Sequence, residues 1–312
     1  MQLDIVVAFF ILGALARAVK SNLQLPPALY QSLTIFLLIA IGLKGGTALS
    51  QHASPIVLPQ SLAVITLGIA IPLIAFPLLF RFGQLNRTDS ASIAAHYGSV
   101  SVATYAVAVA VLESRGMPYE AYFPLFVVLL EMPAIAVGIA LARQGGEKVR
   151  WRPLLHEMTC NQGIVLMSGS LVIGYLAGEQ VNSIMPLFGD LFHGVLALFL
   201  LEMGIVAASR ISDIRMAAPF ITAFSVLMPL VGAALGGALA HLLGFSAGGI
   251  VLLATLGASA SYIAVPAAMR TALPDANHGM SIAASLGVTF PFNVLVGIPL
   301  YLASVDWLSK TQ

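Results

Sequence analysis

Bilayer-length apolar runs, separated by short turns that hold the charges or cluster Pro and Gly, restrict this chain more than any other feature. A helix needs about 20 mostly apolar residues to cross a bilayer. Ten such runs are read near 4–20, 28–50, 57–82, 89–114, 120–143, 157–178, 187–209, 216–243, 247–271 and 279–308. Only 9% of the 312 residues are charged and the mean hydropathy is +0.96, whereas a soluble domain carries roughly 25% charged residues. The ten-residue alternation of barrel strands is missing, so helices are favoured over a barrel. The expected class is an all-α polytopic membrane protein.

Several function classes fall away. The net charge is +1 with no basic arm, which gives no support for nucleic-acid binding. HExxH, Walker and dinucleotide motifs are missing, as is any Cys/His spacing for a transition metal. An intramembrane protease would have to combine Ser99 or Ser101 with His96 across an interrupted helix, which is poor geometry, so no enzyme is expected. Cys160 is the single cysteine and reads as a small buried hydrophobe. "ALA" at 14–16 resembles a signal cleavage site, but Arg17 and Lys20 follow the apolar run instead of preceding it. That run is kept as helix one.

Basic residues set orientation. With ten helices, turns on one side carry Arg17, Lys20, Arg81, Arg87, Arg143, Lys148, Arg150, Arg152, Arg210, Arg215 and Arg270, or 11 of 14. That side is expected to be cytoplasmic, with both termini extracytoplasmic. A cytoplasmic linker at 144–156 then separates 1–143 from 157–312, and these halves resemble each other. Gly13 falls over Gly174 (offset 161), Gly42 over Gly204 (offset 162), and "EMPAIAVGIAL" at 131–141 over "TFPFNVLVGIPL" from Thr289. Five is odd, so a duplicated five-helix unit enters the membrane in opposite senses. Such an inverted repeat is typical of secondary transporters, with substrate at the midplane where the repeats meet.

A fourth match carries the chemistry. "SVSVATYAVA" at 99–108 lies over "SASYIAVPAA" at 259–268, with Ser99 over Ser259 and Ser101 over Ser261. Gly98 and Gly257 precede them, and Thr104 follows the first. Each stretch interrupts a long apolar run near its centre and reads as a broken helix, the fourth and the ninth. The N–H groups that start the second half of a broken helix lack intrahelical partners, and a bilayer tolerates them only against protein or a wet cavity. Two such N-termini with their serines make an anion site without a cation. Gly and Ser also serve tight helix contacts in membranes. The absence of Arg or Lys near either break favours a small monovalent anion or a neutral solute.

Glu131 lies mid-helix before Pro133, and the matching stretch holds Thr289, Pro291 and Asn293. Intramembrane ionisable groups are functional candidates by default. This hard-oxygen set suits Na+, with Ser101 and Ser261 as further ligands. Glu202 reads as an interhelix or subunit contact, Lys44 as a snorkelling side chain, and His193 has no partner pattern. His96 is either pore-lining or simply packed.

"IFLLIAIGLKGG", "YGSVSVATYAVAVAVLESRGMPYEAY", "EMPAIAVGIAL", "GASASYIAVPAAMRTALPDAN" and "SLGVTFPFNVLVGIPLY" resemble the sodium-dependent bicarbonate transporters, the SbtA family. The resemblance implies a 5+5 inverted repeat. It also implies a gate domain (1–52 and 157–213), an elevator-type core domain (55–143 and 214–308) and a homotrimer in the lipid of the inner (plasma) membrane. The implied activity is Na+/bicarbonate symport into the cell. Binding positions implied by it fall at Gly98 to Thr104, at Ser259 to Tyr262, on Glu131 and from Phe290 to Asn293. Two departures stand out: Val102 and Ala103 in a break that is glycine-rich in the family, and Glu131 where Asp is typical. The 144–156 loop is short beside those of cyanobacterial members, so a PII-like regulator is not implied. The residues alone leave open another small anion, such as a monocarboxylate or sulfate, proton coupling through Glu131, or a channel or sensor.

Overall fold

A computed structural model describes residues 4–51, 54–143, 156, 159–210 and 219–311. The described residues are helical, with no strand among them. Along the first half run α1 (Ile5–Ala18), α2 (Pro27–Gln51), α3 (Val57–Pro77), α4 (Arg87–Gly98), α5 (Val102–Ser114) and α6 (Phe123–Ala142). Along the second run α7 (Gln162–Ala177), α8 (Phe192–Ser209), α9 (Pro219–Leu242), α10 (Ala247–Ala258), α11 (Ala264–Ala272) and a final span, α12 (His278–Leu308). Eight helical segments are long and apolar enough to cross a membrane, among them the joined pair Arg87–Ser114. α1 and α10 are shorter apolar helices. The family expectation of ten spans is approached by adding these two. The linker at 144–155 lies outside the described residues.

Side-chain caps start the helices where the sequence supplies them. Asp4 accepts the Val6 N–H at 3.0 Å, Asn86 that of Asp89 at 2.7 Å, and Ser246 that of Gly249 at 3.2 Å. Each such cap contributes about 1 kcal/mol. α7 begins one residue after Asn161, so Cys160 lies before the helix and is exposed. Its expected burial is corrected: the apolar run begins later than the hydropathy boundary placed it, and the thiol sits 3.4 Å from His156 Nδ1.

α1 packs along α8, and α2 along α7. Both contacts use glycine in the same way. A Cβ on Gly13 would meet Leu201 O, and one on Gly204 would meet Phe10 O and, at 2.8 Å, Ala14 N. Across α2 and α7, a Cβ on Gly174 would meet Leu43 O at 2.5 Å, and one on Gly46 would meet Leu171 O and, at 2.7 Å, Tyr175 N. Phe10, Gly13 and Ala14 thus correspond to Leu171, Gly174 and Tyr175, each 161 residues on. Leu201 and Gly204 correspond to Leu43 and Gly46, each 158 back. In these contacts Gly46, one helical turn beyond Gly42, packs on α7 in the way that Gly204 packs on α1.

The broken pairs occupy the interior. In α4 every residue from Asp89 to Gly98 is buried although Asp89, Ser90, Ser92 and His96 are polar; such a helix cannot face lipid. α9 and α10 approach until a Cβ on Gly257 would meet Gly232 O. Along α12 the helix widens into π-helical turns at Ala283–Thr289 and Asn293–Gly297, on either side of Pro291, a distortion often found at functional sites.

Candidate anion and cation site

The two interruptions cross each other. Residues 99–101 separate α4 from α5, and 259–263 separate α10 from α11. The Ser101 N–H donates to Ser259 Oγ at 3.0 Å, and the Ser261 N–H donates to the His96 carbonyl at 2.8 Å. Ser259 Oγ in turn donates to Leu256 O at 2.9 Å. Four residues matched along the sequence are therefore brought to one place, with all four serine hydroxyl groups (99, 101, 259, 261) buried.

The N-terminus of α5 is capped by Ser101, whereas α11 starts from Ile263 without a side-chain cap and receives only a long contact from Ser261. Ser101 Oγ accepts the Thr104 N–H at 3.2 Å, and Ser261 Oγ accepts that of Val265 at 3.5 Å. The preceding N–H groups have no intrahelical acceptor. They belong to Val102 and Ala103 at α5 and to Ile263 and Ala264 at α11, and all four residues line one cavity of about 170 Å³. A helix N-terminus carries roughly half a positive charge, so two of them converge there without a basic side chain.

Glu131 lines the same cavity and is only 5% exposed. Among the described residues its carboxylate has no hydrogen-bond or ion-pair partner. The facing wall is apolar: Leu37 and Leu38 of α2 and Phe199 of α8, with Thr34 beside them. Asn161, Gln162 and Gly163, where α7 starts, complete the lining. Sequence reasoning missed this wall, since it consists of ordinary apolar residues.

Of the expected binding residues only Glu131 lines this cavity; Gly98, Ser99, Ser101, Thr104, Ser259, Ser261 and Tyr262 lie at the crossing outside the lining, and Thr289, Phe290 and Asn293 lie elsewhere again. Thr289 Oγ1 donates to the Ser225 carbonyl at 2.7 Å and shares a 2.7 Å bond with Tyr97 Oη. Asn293 Nδ2 donates to Ala258 O at 2.8 Å, at the end of α10, and its Oδ1 accepts from Tyr301 at 3.0 Å. Phe290 packs edge-on against Tyr262 (centroids 5.7 Å from Phe10 and 5.5 Å from Tyr262), joining α1 to the second break. The expected single set of Glu131, Thr289 and Asn293 is thus spread over two places.

Four polar atoms on the broken spans are buried without hydrogen-bond partners among the described residues: His96 Nε2, Ser99 Oγ, Thr255 Oγ1 and Tyr262 Oη. His96 Nδ1 lies 2.7 Å from the Ser92 carbonyl. A carbonyl only accepts, so Nδ1 holds the proton and Nε2 is the free nitrogen. Unpaired buried polar groups cost about 1–3 kcal/mol each and cluster where a solute or water completes the site. Tyr97 and Thr255 were not singled out from sequence; both are polar groups in the middle of apolar spans, which was the available signal.

A family model described as the Na+-dependent bicarbonate transporter superfamily matches residues 5–306. The chain belongs to this superfamily. The match covers every helix named above up to the last turns of α12 and agrees with the resemblance carried by the two broken stretches. Among curated proteins none matches the chain. As a member of the bicarbonate transporter superfamily it is a multi-pass membrane transporter. No group of three His, Cys, Asp or Glu able to hold a metal ion occurs among the described residues.

Proposed function

We propose that this transporter imports bicarbonate by symport with Na+, as an elevator-type homotrimer in the inner membrane. The observation that carries the reading is the cavity in which two half-helix N-termini and the unpartnered Glu131 carboxylate meet. Bicarbonate is small, planar and singly charged. Its oxygens suit the N–H groups at Val102, Ala103, Ile263 and Ala264, which line the cavity, while its own O–H needs an acceptor.

Coupling follows from electrostatics. A bare carboxylate 4 Å from the anion would repel it by about 4 kcal/mol at an effective dielectric of 20. Na+ held by Glu131 cancels that repulsion, so anion and cation occupy the cavity together. Thr289, Phe290 and Asn293 hold the crossing in shape from behind. The doubled glycine contact of α1 with α8 and of α2 with α7 supports an inverted repeat of 1–143 and 157–312. It also supports a gate of α1, α2, α7 and α8, around which α3 to α6 and α9 to α12 carry the site. The basic turns put the Asn161 end on the cytoplasmic side, so the cavity described above faces inward.

The test is uptake of radiolabelled bicarbonate into proteoliposomes under an inward Na+ gradient, at a pH where dissolved CO2 is minor. Saturable, Na+-requiring uptake is expected, with no response to K+ in its place. Uptake of a monocarboxylate or sulfate in preference, or uptake driven by a pH gradient without Na+, would overturn the assignment.

A further inference from the structure

Glu113, near the C-terminus of α5, holds a cluster that the transport reading does not use. Its Oε1 accepts from the Tyr119 hydroxyl at 3.0 Å and lies 3.9 Å from Lys44 Nζ of α2. Its Oε2 lies 3.3 Å from His193 Nε2 of α8. Lys44 also sits over the Phe192 ring, 4.8 Å from its centroid. The next residue, Ser114, donates to Asp4 Oδ2 at 2.9 Å, and Asp4 caps α1. One end of α5 is thereby tied to α1, α2 and α8 at once. Burial, and then the adjacent carboxylate, push the Tyr119 phenol above its usual value, so Tyr119 stays a neutral donor.

The opposite end of the same helix, at Val102 and Ala103, lines the solute cavity. Thirteen residues separate the ends of α5, about 20 Å of rigid rod. Moving the cavity toward the far side of the membrane carries Glu113 and Ser114 along. It therefore breaks the three contacts that cross to the other helices, Glu113 with Lys44, Glu113 with His193 and Ser114 with Asp4.

We propose that Glu113 is the latch that keeps the transporter closed on the outer side while its cavity faces inward, and that protonation of His193 tightens it. The titratable groups around Glu113 are Lys44 on α2, His193 on α8, and Tyr105 and Tyr119 on its own side of the interface, with Asp4 on α1 reached through Ser114. A protonated His193 adds a second positive charge to the one on Lys44. Histidine changes charge within about pH 5–8, so acid outside the cell holds the latch shut and slows the return of the empty site.

This inference rests on the elevator reading, and the experiment separates the two. In the full-length protein with Cys160→Ser, Ala106→Cys places a reporter in the cavity lining. Its reaction with a membrane-impermeant maleimide is followed from each side of oriented vesicles. Glu113→Gln is expected to raise outside labelling about fivefold, the scale of a weak ion-pair network. The exchange Glu113→Lys with Lys44→Glu should restore the low rate. Because maleimide reacts with the thiolate, both solutions are acidified together and the outside-to-inside labelling ratio is read: it should fall in the wild-type background and stay unchanged with His193→Gln. Outside labelling that ignores Glu113→Gln while inside labelling proceeds would overturn the latch alone. A reporter that reacts from inside only, under every condition, would overturn the elevator reading and the latch with it. A second pair guards against misfolding: Lys44→Cys and Glu113→Cys joined by a short bis-maleimide cross-linker, which spans the reach of the two lost side chains, should stop uptake, and uptake that continues with the cross-link formed would overturn the latch.

Discussion

Among the described residues Glu131 is the single ionisable side chain lining the cavity, and its worth depends on what shares the space. Replacing it by Gln removes the charge while keeping the shape. On the proposed coupling, Na+ is bound by the native protein and not by the unfolded chain, which stabilises by about 2.7 kcal/mol at a hundred times Kd. A Na+-dependent rise in melting temperature is therefore expected for the wild type and not for Glu131→Gln; an equal rise in both would move the cation elsewhere. Ser101 has two duties, since its hydroxyl caps α5 while its N–H bonds Ser259. Ser101→Ala keeps the N–H and loses the cap, a cost of about 1 kcal/mol. The expected result is a KM raised severalfold with protein still folded, whereas Ser21→Ala, on an exposed turn, should transport normally. The breaks, Glu131 and the intramembrane Glu202 were all legible from sequence as polar groups in apolar runs. Glu202 accepts the Leu25 N–H at 3.3 Å, in keeping with a contact role. His193 had no visible partner, because Glu113 lies 80 residues away and belongs to another helix.

Helix interruptions are local events, and for that reason they could be read. Gly followed by alternating serines offers the backbone a capped alternative to continuing the helix. The closeness of elements was less legible. α9 and α10 touch through Gly232 and Gly257, where any Cβ meets the opposite backbone. Gly257→Ala is expected to push these helices apart and lower the melting temperature by several degrees without touching the cavity lining, as followed by thermal unfolding in detergent. Asn293 joins the end of α10 to α12 by bonds to Ala258 O and Tyr301 Oη. Asn293→Leu leaves both unpaired in the interior and should cost about 1–3 kcal/mol. Asn293→Asp, which keeps the acceptor and loses the donor, should fall between; uptake lost without any loss of stability in either variant would make Asn293 a ligand.

At the scale of the molecule, the outlines of a membrane transporter were available from composition and hydropathy alone. Long apolar runs fix the lipid as solvent, internal similarity points to duplication, and serine-bearing breaks mark where solute meets backbone. These properties depend on residues a few positions apart, or on averages over a span. The tertiary structure alone decided which N-termini meet, that Gly46 and not Gly42 matches Gly204, and that Thr289 and Asn293 brace the crossing while Glu131 faces the cavity. It also decided that one end of α5 is held by three other helices. Each of these is a contact between residues dozens to hundreds of positions apart, set by how closely backbones can pack, and no local pattern along the chain encodes that distance.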